Sequence, residues 1–347
     1  MENIINRLYK KYYLYAIKNN ILEVPEFIEY REFGYGKKNK VDNRNISFKN
    51  EKEYKSWILN IVPYHIYKSL AIMRYPSNSG GADKKGVIRR EIAFDLDIKK
   101  TKRCNHDDNW ICKYCLEEGK KQTLYLIEEF LFPDFGFDEE DIKIVFSGNR
   151  GYHIYLSPKN ENIKEIIEHY SKDERRFLTS YILGENLTLK NVGFGWRRRI
   201  AKKLKEKGII KNEKKFLNNK NLESIIKKYK ETTQNKIYKT IEELKSIELD
   251  KKVMEDDIRL LRVINSLHGY TGFIVKELTY KELKTFNPLK DAIFEEFENI
   301  FFDVDIVDNK KFSIEINGKK YTNKSKKLTA SALLFLYGHN IKFNIHT

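Results

Sequence analysis

Apolar and polar positions along this chain switch repeatedly between two periods. Residues 1–20, MENIINRLYKKYYLYAIKNN, place apolar side chains at helical spacing and read as an amphipathic helix. Residues 31–35, REFGY, lead into a polar loop rich in lysine and asparagine. A second helix over about 50–60 ends before Pro63. Residues 64–75 and 87–98 read as strands joined by the turn SNSGGAD at 77–83. After the segment 101–117 a helix runs to about 131. It is followed by the strand DIKIVF at 141–146, the turn SGNRG at 147–151 and the strand YHIYL at 152–156. Residues 160–247 are dominated by lysine, glutamate, asparagine and isoleucine at helical spacing, and carry the basic cluster Trp196–Arg199. Strand signals return after Ile247. Asn317-Gly318 is a strong hairpin signal, and a last helix covers roughly 325–337. No internal repeat is visible.

Within 87–98, strict alternation divides the side chains. Ile92, Phe94, Leu96 and Ile98 share one face, and Ala93, Asp95 and Asp97 share the other. At about 3.3 Å rise per residue the two aspartate Cα atoms lie roughly 6.6 Å apart. Two such anions about 4 Å apart repel by about 1 kcal/mol in water and about 4 kcal/mol at an effective dielectric of 20. An exposed pair is therefore an ordinary solvated strand face, whereas a sheltered pair demands a cation.

Composition narrows the setting. The 347 residues suffice for one large or two medium domains. Lysine and arginine exceed aspartate and glutamate, 66 to 50, for a net charge of +16. That balance points to a polyanionic partner, nucleic acid first. No apolar run reaches about 18 residues, so no membrane span is expected. The N-terminus lacks a signal-peptide pattern, and the expected location is intracellular, in the cytoplasm.

Three clusters carry candidate chemistry. All three cysteines fall in Cys104-Asn-His106…Cys112-Lys-Tyr-Cys115. Three thiolates and one imidazole suit a tetrahedral, closed, structural zinc site, against the alternatives of plain reduced thiols or a redox pair. In Ser147-Gly-Asn-Arg150-Gly-Tyr-His153, a strand feeds a turn with two glycines. That turn reads equally as an anion-binding loop and as a hairpin turn with a solvated arginine. In Arg262-Val-Ile-Asn-Ser-Leu-His268-Gly, a cation and a histidine flank a glycine turn.

Taken together, REFG (31–34), PYHIYKSLAIMRYP (63–76), EIAFDLD (91–97), RCNH…CKYC (103–115), SGNRGYH (147–153), LRVINSLHG (261–269) and FNPLK (286–290) resemble the catalytic small subunit of archaeal and eukaryotic DNA primase, in that family's order. The insertion and the last fifty or so residues match poorly. The resemblance implies an α/β (α+β) fold. A mixed-sheet catalytic domain would occupy 1–159 and 248–347, with a zinc motif at 103–116 and a helical insertion subdomain at 160–247. It implies that Asp95, Asp97 and a third aspartate hold two Mg²⁺ or Mn²⁺ ions. Asp250 fits the third position best, with Asp256, Asp257 and Asp303-Val-Asp305 as rivals. Ser147, Arg150, His153, Arg262 and His268 would bind the incoming triphosphate. Tyr270 stands where the family usually has lysine, so Arg262 or a nearby lysine would take over that contact. Asn149 stands where some relatives carry a second arginine. The implied activity is synthesis of short RNA primers from ribonucleotides on single-stranded DNA, with a large primase subunit as heterodimer partner. Primer extension with deoxynucleotides, repair, a metal-dependent nuclease and a non-catalytic binding subunit are the alternatives.

Overall fold

The computed structural model describes residues 1–37, 40–107 and 110–346. Asp108 and Asn109, inside the expected zinc motif, and Lys38 and Asn39, in the polar loop, lie outside the described residues.

The first helix spans Glu2–Lys18 and buries Ile5, Leu8, Tyr9, Tyr12, Tyr13 and Ala16, the apolar stripe legible in the sequence. Tyr9 stacks on Tyr64 at 4.2 Å, and the Tyr12 hydroxyl donates to the Asn265 carbonyl. The helix Glu51–Ile61 is capped by Asn50, whose side chain accepts from Glu53 N–H. It ends where Val62 turns left-handed before Pro63.

Two four-stranded sheets follow. The first runs, in spatial order, Asn43–Ile46, Phe33–Gly36, His65–Ser69, Leu260–Arg262. The second runs Lys276–Leu278, Ile142–Phe146, Tyr152–Leu156, Ile92–Leu96. The α+β reading holds. The strand directions are more uniform than a mixed sheet, for the pairings among the described residues are antiparallel.

The two long strands expected at 64–75 and 87–98 are each broken. The first divides at Leu70 and the second at Glu91, leaving Ala71–Met73 and Val87–Arg90 as a separate two-stranded ribbon. At the break Leu70 N–H donates to the Arg259 carbonyl and Glu91 N–H to the Leu70 carbonyl. The Glu91 carboxylate accepts from Arg31 at 2.9 Å and lies 3.8 Å from Lys68. Burial works against ionisation there, but Lys68 and Arg31 outweigh it and hold the carboxyl at about 2. An ion cluster at this crossing redirects both chains, so the outer and inner halves join different partners.

The alternation within Ile92–Leu96 is as expected. Ile92, Phe94, Leu96 and Ile98 enter the main core with Ile144, Phe146, Tyr152 and Ile154. Ala93 enters a smaller cluster with Leu70, Val145, Tyr155, Val253, Leu261, Ile264 and Val275, which joins the two sheets. Asp95 is one step along that second face.

The helix Lys113–Leu126 continues as a π-helical turn, Ile127–Leu131. From Glu161 to Leu244 the named elements are all helices. The Trp196–Arg199 cluster in this stretch is not a solvated basic face. Arg199, 1% exposed, donates to Asp134 and to the Glu129 carbonyl, with its guanidinium 3.8 Å from the centre of the Phe130 ring. Arg198 and Lys202 both pair with the Glu129 carboxylate. The cluster clasps the helical stretch to residues 129–134.

Near the C-terminus, Ser313–Ile316 and Lys319–Thr322 pair around Asn317-Gly318, both left-handed, as the hairpin signal requires. The last helix is Ala330–Gly338, shorter than the expected 325–337. Its front portion, Lys327–Thr329, pairs instead with Phe301–Asp303, and Thr329 caps the helix. No helix among the described residues is long and apolar enough to cross a membrane.

Candidate active site and metal centre

Asp95 sits on the strand Ile92–Leu96, directly opposite His153 on the neighbouring strand. His153 Nε2 lies 3.7 Å from Asp95 Oδ1. Asp97 follows just past the strand end and is exposed. Asp250, more than 150 residues later, arrives beside them. Its N–H donates to the Asp95 carbonyl at 2.8 Å, and Leu249 bridges Leu96. One carboxylate oxygen of Asp250 caps the helix Lys251–Glu255, and the other accepts from Arg259 at 2.9 Å. Burial, then the charges of Asp97 and Asp250, push the Asp95 carboxyl up to about 7.

The rival acids are engaged elsewhere. Asp256 accepts from Ile258 N–H, and Asp257 pairs with Arg175. Asp303 and Asp305 lie on the strand Phe301–Ile306, where Asp305 pairs with Lys326 and His346.

The two glycine turns meet each other. A Cβ on Gly148 would stand 2.6 Å from His268, and one on Gly151 would stand 2.1 Å from the Leu96 carbonyl oxygen. Only glycine lets the 147–151 turn pack this close to the aspartate strand. Thr271 Oγ donates to the Gly148 carbonyl at 2.6 Å, tying the turn to the 268–272 turn. The turn that carries Ser147 and Arg150 is thereby held against the end of the aspartate strand and against His268.

Arg262 completes the group. Its guanidinium lies over the Tyr67 ring at 4.7 Å and reaches His65 Nδ1 at 3.0 Å. A guanidinium only donates, so His65 Nδ1 accepts, also from Gly269 N–H, and its proton is on Nε2. Burial and the Arg262 charge push His65, His153 and His268 down, His153 to about 3. All three imidazoles are neutral at pH 7. His65 Nε2, Tyr67 Oη and His153 Nδ1 are buried and have no hydrogen-bond partner. Arg259 and His153 border the carboxylates, and Arg262 gathers His65 and Tyr67 with unspent polar atoms, an arrangement suited to a polyanion bridged by metal.

Four members of this neighbourhood were not singled out from the sequence: His65, Tyr67, Lys40 and Arg259. The signal available was the alternation in His65-Ile-Tyr67, which places a titratable ring and a phenol on one strand face. Lys40 acts through its charge, which lowers His65, His268 and Asp95. Tyr270 N–H donates to His268 Nδ1, and its ring packs 4.9 Å from that of His65.

The second centre is the cysteine cluster. The ligand atoms of Cys104, His106, Cys112 and Cys115 all lie within 4.8 Å of one another and could hold a metal ion. The Cys104–Cys112, Cys112–Cys115 and Cys115–His106 separations are 3.6, 3.8 and 3.9 Å. A tetrahedral zinc with sulfur ligands at about 2.3 Å spaces them about 3.8 Å apart. His106 Nδ1 faces the Asp107 carbonyl at 2.7 Å, so that nitrogen carries the proton and Nε2 is free toward the sulfurs. Burial pushes the Cys115 thiol up to about 12, so a bound cation is what would keep that sulfur a thiolate. The three aspartates are not drawn together to the same degree.

Cavity size does not mark the acid site. A groove of about 730 Å³ lies between the Lys113–Leu126 helix and the 313–322 hairpin, lined by Tyr114, Lys120, Phe286 and Lys290 among others. It holds none of the expected catalytic residues.

Comparison with known proteins gives the family. A family model described as DNA primase small subunit matches residues 94–280. The DNA primase small subunit of Methanocaldococcus jannaschii is 65% identical over 343 residues, covering 98% of this chain and 97% of that protein. That of Methanococcus maripaludis strain C5 is 50% identical over 347 residues, covering 99% and 96%. That of Thermoplasma acidophilum is 29% identical over 328 residues, covering 90% of each. The chain belongs to the DNA primase small subunit family.

Proposed function

We propose that this chain is the catalytic subunit of a primase, joining ribonucleotides on a single-stranded DNA template with two divalent ions held by Asp95, Asp97 and Asp250. The observation that carries the reading is Asp95, whose carboxyl is raised to about 7 by burial and two neighbouring carboxylates. A bound cation would offset that repulsion and favour the ionised form of Asp95. Its all-oxygen donors suit hard Mg²⁺ or Mn²⁺, whereas the cysteine cluster suits zinc in a structural role. When bound, the ion pair would activate the attacking hydroxyl and neutralise the leaving pyrophosphate.

The chain's own residues supply the rest. Arg259 holds one oxygen of Asp250 at 2.9 Å and would orient that carboxylate toward a bound ion. Ser147, Arg150, Arg262 and Lys40 would grip the triphosphate, joined by His65, His153 and His268 as neutral donors. The 147–151 turn, packed against the end of the Asp95 strand, sets the distance between triphosphate and acids. No side chain is asked to form a covalent bond. A DNA template and a large-subunit partner follow from the family reading. The net charge of +16 suits a template bound through its backbone.

The test is synthesis on unprimed single-stranded DNA with labelled ribonucleotides and Mg²⁺ or Mn²⁺, with and without a large subunit. Oligomers are expected from the wild type, with a loss of more than about 100-fold in Asp95→Ala and Asp97→Ala. Equal synthesis by these variants would overturn the site.

A further inference from the structure

We propose that Arg90 and Arg175 are positioning residues for the third carboxylate, so that the helical stretch 161–244 acts on the acid site through one short helix. The inference rests on the reading of Asp250 as a metal ligand.

The helix Lys251–Glu255 is held at both ends. At its start Asp250 caps Lys252 N–H and docks through its own N–H on the Asp95 carbonyl. Five residues leave the later carbonyls without intrahelical partners. Two arginines take them. Arg90 donates from one terminal nitrogen to the Met254 carbonyl at 3.0 Å and from the other to the Val253 carbonyl. Arg175 Nε donates to the same Met254 carbonyl at 2.8 Å, and its terminal nitrogens reach the Tyr170 carbonyl and Asp257.

These guanidiniums are 2% and 4% exposed. Placing two like charges side by side out of water is costly, and among the described residues Arg90 has no ion pair. Carbonyls alone could be met by neutral donors or by water. What the arginines add is rigid, forked geometry between separate segments. Arg90 ends the ribbon that leads directly into the Asp95 strand, so it ties Asp95 and Asp97 to the helix that Asp250 caps. Arg175 lies on the helix Lys172–Leu183, and Lys251 pairs with Glu185 just beyond that helix. Two carboxylates and a third that is distant in sequence must be held within about 0.5 Å of their productive geometry to share ions. The Val253–Met254 carbonyls are where that alignment is clamped, with the helical stretch supplying one jaw.

A double-variant cycle on Mn²⁺ binding, read from the electron paramagnetic resonance of free Mn²⁺ with the full chain, separates positioning from general stability. Arg175→Gln is expected to weaken Mn²⁺ binding about tenfold. In the Asp250→Asn background the same change should add nothing, because Arg175 acts only through Asp250. Additive losses, or unchanged binding by Arg175→Gln, would overturn the proposal. Should Arg175→Gln fail to fold, Asp257→Asn is read in the same cycle, since it releases only the outer nitrogen of Arg175. A loss of about threefold is expected alone, and none on top of Asp250→Asn, with the same contrary outcomes. Unchanged Mn²⁺ binding by Asp250→Asn would remove the ligand role and this proposal with it. Primer synthesis that depends on Asp95 and Asp97 would still support the primase reading.

Discussion

The acid site and the Arg199 clasp are both charged clusters with buried members, and they are built on opposite rules. In the clasp, three cations face two carboxylates. Arg199 and Arg198 reach Asp134, and Arg198 and Lys202 reach Glu129, with aromatic rings closing over Arg199. The charges complete one another inside the protein. At the acid site, Asp95 is pushed up by burial and then by Asp97 and Asp250, and His65, His153 and His268 are held neutral by burial and arginine. Those charges are left to be completed by a ligand. The WRRR run is the denser basic motif in the sequence, yet it is the sparser acid pair that retains unspent charge.

The cysteine cluster offers the strongest test of this contrast, since its completion depends on a metal. Cys115→Ser should release the single zinc expected per chain, as measured by atomic absorption, and lower the midpoint of thermal unfolding. Structural zinc sites contribute about 10–16 kcal/mol of apparent binding energy, so much of the local order of the knuckle should go with it. Retention of zinc would contradict the ligand assignment.

Next in size is the clasp itself. Arg199→Ala removes the close ion-pair partner of buried Asp134 and the buried donor to the Glu129 carbonyl, and should cost about 3–5 kcal/mol in urea unfolding. A loss below about 1 kcal/mol would place the clasp with exposed ion pairs.

The smallest expected effect has the opposite sign. The Asp95 carboxyl titrates at about 7 in the folded chain, against an ordinary value of 3.8. The folded state therefore binds the extra proton between these values, and stability falls as pH rises from about 4 to about 7. Asp95→Asn has no such titration. Without divalent ions it should be more stable than the wild type at pH 8, by up to about 4 kcal/mol, and equal to it near pH 4. Denaturant melts across that range check this. A variant no more stable at pH 8 would mean that Asp95 carries no stored repulsion.

Much of this is legible in the sequence. Period-2 alternation assigned Asp95 and Asp97 to one face and Ile92, Phe94, Leu96 and Ile98 to the other, because strand geometry is local. The four zinc-type ligands lie within twelve residues, so short-range spacing was enough to group them. The Asn317-Gly318 hairpin follows from the two residues' tolerance of left-handed backbone. The division of 64–75 and 87–98 was not legible, since it depends on Arg31 and Lys68 meeting Glu91 from other segments. Nor was the front of the last helix, where pairing with Phe301–Asp303 overrode helical periodicity.

The sequence by itself determined the ingredients of this protein: two carboxylates on one strand face, a zinc-type ligand set and two glycine turns. Each depends on contacts within a few residues, which spacing records. Only the tertiary structure decided that Asp250 docks on Asp95 and meets Arg259, that His65 and Tyr67 gather on Arg262, and that WRRR faces inward. Those outcomes turn on hydrogen bonds such as Asp250 to Asp95 and Arg199 to Glu129, made between segments tens to hundreds of residues apart. Contacts at that range leave no period in a single sequence, because the intervening chain can place the partner anywhere its length allows.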